Sequence, residues 1–521
     1  MKTDIFERHH TGKFLMLILF LALVLRLSFF SGYSAGDDRG YIAKAFSYST
    51  GNYIAPETHW GSRSGVVVPT AIMFKILGVN QLSTVILPFI LSLFSIVITY
   101  KMATYLFGPK TGILAAFLLS IFPMDVLFAS QLFPYEFLVF FSISSLYLFI
   151  IGMDKSQGIF VFYSGFLLGL AYLSRITALY CLLFYAAYFI FKKEKKYTIY
   201  FIAGLVLVFI LEATASFIFY NDWFLRLGIL MGRVSGGGVS PGILDKFTDV
   251  QWVLEPFIRF CFEQEFALFF PFMLFAVFYQ IFNSDDKKAS LLLLWIIPIF
   301  LYVAYGTTKP TGYGALRRLP RYYSVVIAPA LILLSFVLTK FKNQKISIAI
   351  IFLLFITSIV SLTIDNSKFV KRPSIQMTEF VNSKTPKNII IDRVLMFDYL
   401  FFTKFERKAN LAMLVNKADN SDTLKRIKLV YPDIKMVNTL ENIPDQSMVV
   451  LSPRYYKVTD TERLHLKHIK DIEKEHRFYY QIFEFAPVQM LMKFVRDEKR
   501  FKMLVKRTKK TASIYTFNDK I

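Results

Sequence analysis

Long apolar runs separated by short charged connectors fill the chain from residue 13 to about residue 364. Stretches of about 17–25 apolar residues match the hydrocarbon core of a bilayer. The pattern predicts about eleven transmembrane helices, near residues 13–31, 82–101, 111–130, 133–152, 158–174, 176–191, 197–220, 264–283, 289–306, 322–340 and 345–364. The segment between the first two, residues 32–81, is too polar to span. Its second half, "VVVPTAIMFKILG", is amphipathic and too short to cross, and predicts a helix lying at the interface.

The pattern changes abruptly after residue 365. "NIIIDR", "IKMVNT", "SMVVLSP" and "ASIYTF" read as short buried strands. Between them "SDTLKRIKLVY" and "VTDTERLHLKHIKDIEKEH" have helical spacing. Alternating strands and helices predict a small α/β domain. The expected fold is therefore a polytopic α-helical membrane protein, with a multispan domain over 1–365 and a soluble extracytoplasmic α/β domain over 366–521. The second region shows no Gly-rich phosphate loop, His/Cys metal cluster or nucleophile elbow, which favours a structural or acceptor-facing role.

Composition agrees with the spans. The 521 residues are 55% hydrophobic and only 19% charged, with 57 Phe and 29 Tyr, and mean hydropathy is +0.48. Lys13 before the first run and Ser34 and Ala35 after it are signal-peptide features, but the many spans that follow favour a retained first helix. Two cysteines, Cys181 in an apolar run and Cys261 in a connecting loop, indicate no disulfide framework.

The net charge of +23 raises the question of an anionic partner. Its basic residues lie in membrane-flanking loops and the C-terminal block, without the basic-aromatic interleaving of a nucleic-acid groove, so lipid phosphate is the expected anion and no nucleic acid is expected. Lys/Arg counts barely distinguish the two sides. The short, Lys-rich connectors "FKKEKKY" and "KFKNQK" favour a cytoplasmic N-terminus. An odd number of spans then puts the C-terminal block outside.

Adjacent carboxylates, Asp37 and Asp38, stand where the chain leaves its first apolar run, in "SGYSAGDDRGYIAKAF". Two acids side by side resist joint ionisation and call for a cation, a hydrogen-bond network or a chemical task. Glu57, His59, Trp60, Arg63 and Lys75 follow in the same loop. A carboxylate with cations at the lipid boundary suits transfer from a phosphate-activated donor: the acid accepts a hydroxyl proton and the cations hold the departing phosphate. The plain alternative is that these charges solvate a loop. A divalent metal on Asp37, Asp38, Glu57 and His59 is a rival reading, weakened by the loose spacing; no metal or cofactor is called for.

Within the spans, Asp125, Glu136, Arg175 and Glu212 need explanation. Asp125 and Glu136 flank the outer end of a tight hairpin, where interfacial solvation would account for them. Arg175, in "GLAYLSRITALY", either snorkels outward or grips a phosphate. Glu212 requires a buried partner. "RVSGGGVSPG" at 233–242 lacks the ending of a phosphate loop and reads as a flexible connector. The loop "GTTKPTGYGALRRLPRY", with Arg317, Arg318 and Arg321, reads as a cationic lid.

The order of these landmarks resembles the GT-C glycosyltransferases, which include protein O-mannosyltransferases and the lipid A aminoarabinose transferases. "GDDRGYIAKAFSYSTG" resembles their first-loop acidic signature. The proline-containing interfacial segment, "GFLLGLAYLSRITAL" and "RYYSVVIAPALILL" follow in the family's order over about residues 10–340.

The resemblance implies a polyprenyl-phosphate sugar donor, inverting transfer to a glycan, lipid or protein acceptor outside the cytoplasm, and residence in the cell membrane. It makes Asp37 the base and Asp38 its helper. It places Arg175, Arg321 and Tyr322 near the donor phosphate, with Arg63, Lys75 and Arg318 as further cations. Glu57, His59 or Glu136 would serve as acceptor contact or second acid; "SRSGVVVP" departs from the family's pattern there. The competing class is a transporter or lipid flippase using Glu212 and Asp125 as coupling carboxylates, but no inverted repeat is visible.

Overall fold

Prolines punctuate the apolar half of the chain. Pro109, Pro123 and Pro134 each start a helix, where a missing N–H costs nothing. The computed structural model describes residues 2–229, 249–283, 286–307, 316, 318–369, 372–406, 410–415, 422–438, 443–444, 446–452, 466–475 and 508–517. The first ten helices are α1 (Lys2–Ser28), α2 (Asp38–Ser49), α3 (Ser64–Leu77), α4 (Gln81–Phe107), α5 (Pro109–Ser120), α6 (Pro123–Phe128), α7 (Pro134–Asp154), α8 (Gly158–Ser174), α9 (Leu182–Lys192) and α10 (Lys195–Tyr220). They are followed by α11 (Val250–Phe262), α12 (Phe269–Asn283), α13 (Lys287–Tyr305), α14 (Ser324–Lys340), α15 (Gln344–Phe369) and α16 (Arg372–Ser383). The remaining elements are β1 (Ile389–Asp392), α17 (Arg393–Phe402), β2 (Leu411–Leu414), α18 (Asp422–Val430), β3 (Lys435–Val437), β4 (Met448–Leu451), β5 (Leu466–Glu475) and β6 (Thr508–Phe517).

The chain divides into two compact units. The first comprises Met1–Phe30, Tyr53–Val67 and Val85–Asn366; the second comprises Ser31–Asn52, Val68–Thr84 and Ser367–Ile521.

The first unit is a helical bundle. Among the described residues, five helices are long and apolar enough to cross a membrane: α4, α7, α10, α13 and Gln344–Ile364 of α15. Shorter apolar helices pack among them. Residues 324–338 of α14 are buried throughout, so this helix is apolar on every side. Trp295 on α13 donates from Nε1 to the Val325 carbonyl, 2.9 Å away, fixing α13 against it. The expected span over 111–130 is interrupted at Ile121–Phe122, because Pro123 cannot continue the helix. Cys261, expected in a connecting loop, lies in α11.

Arg26 ties four elements of this bundle together. Its side chain is fully buried and ion-paired with Asp125 of α6. Its Nε donates to Ser92 of α4 (2.7 Å), and Nη1 donates to the carbonyls of Ala22 (3.0 Å) and Ser120 (3.2 Å). Ser92 in turn donates to Asp125 Oδ2 at 2.7 Å. Glu136, beside Asp125, is also fully buried. Interfacial solvation therefore does not account for either acid.

The second unit contains a six-stranded sheet of order β3-β2-β1-β4-β6-β5. The β3-β2-β1-β4 portion is parallel, while β6 runs antiparallel to β4 and β5. The four expected strands are present in β1, β3, β4 and β6, and "DTLKRIKLV" forms α18. The expected helix over 458–476 is corrected over its described portion: residues 466–475 are strand β5. Pairing with β6 supplies the backbone partners and overrides the helical spacing.

Close approach of α8 and α10 depends on two glycines. A Cβ at Gly165 would stand 1.9 Å from the Phe201 carbonyl oxygen, and one at Gly204 would stand 2.0 Å from that of Phe162. Small residues let membrane helices meet at the backbone. Gly165→Val or Gly204→Val should cost roughly 1–3 kcal/mol of stability. Gly228→Val, where nothing lies within 4 Å, should change the thermal unfolding midpoint little. Equal midpoints for all three would contradict this packing.

Candidate functional site

Within the second unit, the acidic pair terminates a tight turn whose backbone takes positive φ at Gly32 and Ala35. Asp38 is fully buried at the start of α2. Its Oδ2 accepts the Ser34 N–H at 2.6 Å, and Oδ1 accepts those of Gly36 at 2.6 Å and Arg39 at 3.1 Å. Burial pushes the Asp38 carboxyl above the usual range, while the Ser34 and Gly36 N–H bonds and then the Arg39 charge pull it back. This carboxylate closes the turn. Asp37 occupies the helix N-cap position but makes no capping bond, and it is only half-buried. The adjacent acids are thus in different environments. Lys75, expected as a phosphate-binding cation, is exposed in the last turn of α3.

Within the first unit, several expected residues meet around the C-terminal end of α8. Arg175 leaves that helix in extended conformation and is buried, with its guanidinium 4.3 Å from the ring centroid of Tyr322. Tyr180 and Tyr302 pack nearby, their rings 4.8 Å apart. Two sequence-selected residues separated by most of the bundle are therefore brought together. Arg321, in the turn Pro320–Tyr322, adjoins them in sequence and is half-buried.

The same helix end identifies the partner of Glu212. Arg226 Nη1 donates to Glu212 at 2.8 Å and to the Leu173 carbonyl at 3.2 Å. Its Nη2 donates to the Tyr172 carbonyl at 2.5 Å, and its guanidinium lies over the Tyr172 ring at 4.2 Å. An arginine on the last carbonyls of a helix satisfies groups that have no intrahelical donor. Ser64 also donates to Glu212, at 3.5 Å. Gly65 lies directly on this helix end, where a Cβ would be 2.7 Å from the Ser174 nitrogen. A cavity of about 480 Å³ opens beside the pair, with Tyr172, Phe209, Trp223, Phe224, Glu212 and Arg226 in its wall.

The other expected residues lie elsewhere. Arg318 donates to the carbonyls of Ala304 (2.7 Å) and Trp252 (2.8 Å), pairs with Glu255 at 2.6 Å, and stacks over Trp252. Those bonds join α11 to α13. Most of the lid "GTTKPTGYGALRRLPRY", including Arg317, and the whole of 233–242 lie outside the described residues. Glu57 is exposed, the His59 ring packs at a tilt against Trp60 with centroids 4.0 Å apart, and Arg63 is half-buried just before α3. Among the described residues, no group of three or more His, Cys, Asp or Glu side chains gathers to hold a metal.

Comparison with known proteins bears on this arrangement. A protein-family model described as dolichyl-phosphate-mannose-protein mannosyltransferase matches residues 69–218. The crystal structure of ArnT from Cupriavidus metallidurans bound to undecaprenyl phosphate is similar, with TM-score 0.57 and 15% identity over 85% of this chain and 93% of that one. The archaeal oligosaccharyltransferase AglB from Archaeoglobus fulgidus, in complex with an inhibitory peptide and a dolichol-phosphate, has TM-score 0.53 and 12% identity over 86% and 70%. No curated protein matches the chain in sequence. The fold is the GT-C fold of integral-membrane glycosyltransferases, followed by a small C-terminal sheet region. The chain is an integral membrane protein.

The unlike surroundings of the two acids make a direct prediction. In Asp38→Asn an amide NH₂ replaces one acceptor opposite backbone donors, so the turn should lose about 1–3 kcal/mol. Asp37→Asn, at a half-buried position without a capping bond, should cost less than Asp38→Asn. Thermal unfolding in one detergent checks this; greater destabilisation by Asp37→Asn would contradict the assignment.

Proposed function

We propose that this protein transfers a sugar from a polyprenyl-phosphate donor to an acceptor hydroxyl, with inversion, and that Asp37 is the base. The observation that carries this reading is the fold shared with ArnT and AglB, together with the acidic pair that follows the first apolar helix. Asp38 is held at the start of α2 by three backbone N–H groups, and the half-buried Asp37 precedes it at the helix N-cap position. The GT-C fold and the family match over 69–218 support the same class of chemistry.

In the reaction, the Asp37 carboxylate accepts the acceptor's hydroxyl proton. The hydroxyl oxygen forms a bond to the sugar's anomeric carbon as the bond from that carbon to the phosphate oxygen breaks. The electron pair leaves with polyprenyl phosphate, which needs no general acid. Arg175, stacked on Tyr322, holds the donor phosphate, with Arg321 as a second cation. Arg63 and Lys75 contribute positive field, while Glu57, His59 and Glu136 are the acceptor-side candidates. A glycan, lipid or protein supplies the hydroxyl. The reaction belongs on the extracytoplasmic face of the cell membrane, with the N-terminus cytoplasmic and the C-terminal domain outside. A transport mechanism is less well supported, because its two coupling carboxylates, Asp125 and Glu212, are ion-paired with Arg26 and Arg226.

The test uses purified protein in lipid with labelled polyprenyl-phosphate sugars and crude membrane acceptors. Asp37→Asn should lower turnover by about 10²–10⁴-fold, with donor binding retained within about twofold of wild type. Turnover indifferent to Asp37, or no turnover with any donor, would overturn the proposal.

A further inference from the structure

The α/β elements of the second unit show no catalytic motif among the described residues, yet they hold the segment bearing the acidic pair. Arg39, beside Asp38, donates to Asp398 Oδ1 of α17 from Nη2 at 2.6 Å and from Nε at 3.1 Å. Its Nη2 also donates to the Val394 carbonyl at 3.1 Å. The Tyr33 hydroxyl donates to the same Asp398 Oδ1 at 2.5 Å, and Ser374 donates to Oδ2 at 3.0 Å. The Arg39 and Asp398 side chains are 12% and 4% exposed.

Aromatic packing extends this attachment on both sides. Tyr33 stacks on Phe401 with centroids 4.7 Å apart, and Phe46 meets Phe405 at 4.5 Å. Residues 33–46 are therefore held at three points by residues 394–405. That shorter segment is itself fixed to the sheet. Asp392 accepts the N–H groups of Val394 (2.8 Å), Leu395 (3.1 Å) and Ser452, capping α17 and joining the ends of β1 and β4. In an open α/β sheet of this strand order, the crevice between those strands is the usual place for a ligand. Here the chain's own carboxylate occupies its mouth.

We propose that the C-terminal α/β domain is a positioning platform for the acidic loop, and that Asp398 is a positioning residue acting on Asp37 through Arg39. The inference rests on the reading of Asp37 as base. Arg39 cannot leave Asp398 without stranding a buried carboxylate, and only Asp38 separates it from Asp37. The orientation of the base is thereby set by a residue more than 350 positions away in sequence. A misplacement of about 1 Å at a reacting group can cost on the order of 10²-fold in rate.

The test uses the full-length protein in lipid nanodiscs with Asp398→Ala, Asp398→Glu and Tyr33→Phe. Tyr33→Phe removes one donor while leaving the ion pair, so it remains informative if Asp398→Ala disturbs folding. Hydrogen exchange over residues 31–49 should rise about tenfold or more in Asp398→Ala and by a smaller factor in Tyr33→Phe. Protection in β1 and β4 should persist. With labelled donor, kcat should fall about 10–100-fold in Asp398→Ala, KM for donor should stay within about twofold, and Asp398→Glu should recover part of the loss. Unchanged exchange over 31–49 in both Asp398→Ala and Tyr33→Phe would overturn the platform. A rate loss appearing only in KM would overturn its role in catalysis. If wild-type protein transfers no sugar, the exchange measurement still decides whether the platform exists, so the two proposals fail separately.

Discussion

In a bilayer the alternative to pairing a charge is to strand it in hydrocarbon, at a cost of several kcal/mol. That constraint organises the helical bundle of this chain. Arg26 meets Asp125 and two carbonyls, Arg226 meets Glu212 and the end of α8, and Arg318 meets Glu255 and two further carbonyls. In the second unit, burial inside the protein imposes a comparable requirement, met by Arg39 and Asp398 with Tyr33 and Ser374 completing the network. Each pairing ties together segments distant in sequence, which makes charge burial a source of architectural specificity here.

The same accounting shows which charges are committed to structure. Asp38 is spent on backbone donors and Asp125 on an arginine, although both have the residue type that catalysis would use. Arg175 differs from Arg318 in a comparable way. The first is stacked on the Tyr322 ring, whereas the second is bound by a carboxylate and two carbonyls that fix one helix against another.

Much of the bundle was legible in the sequence, because apolar run length and proline position act locally. The break after Ser120 was missed when the surrounding apolar pattern was read straight through Pro123. Strand β5 was missed because residues 466–475 carry helical spacing, and only their pairing with β6 decides the conformation. Among the candidate residues, Asp37 and Asp38 stand out as adjacent acids after an apolar run and Arg175 as a cation between two apolar runs, whereas Tyr322 is picked out by the family resemblance and its packing against Arg175 by the fold. Arg26 carried a usable signal as a lone cation within an apolar run. Asp398 carried none: "RVLMFDYLFF" resembles any amphipathic helix, and its task emerges only when Arg39 is placed against it.

The most direct test of the central claim is the anomeric configuration of the product. Transfer from a polyprenyl-phosphate sugar of defined anomer, followed by NMR of the glycosylated acceptor, reports whether one displacement or two has occurred. A single carboxylate base at Asp37 requires inversion relative to the donor. Retention would demand a covalent intermediate or a second displacement and would contradict the account.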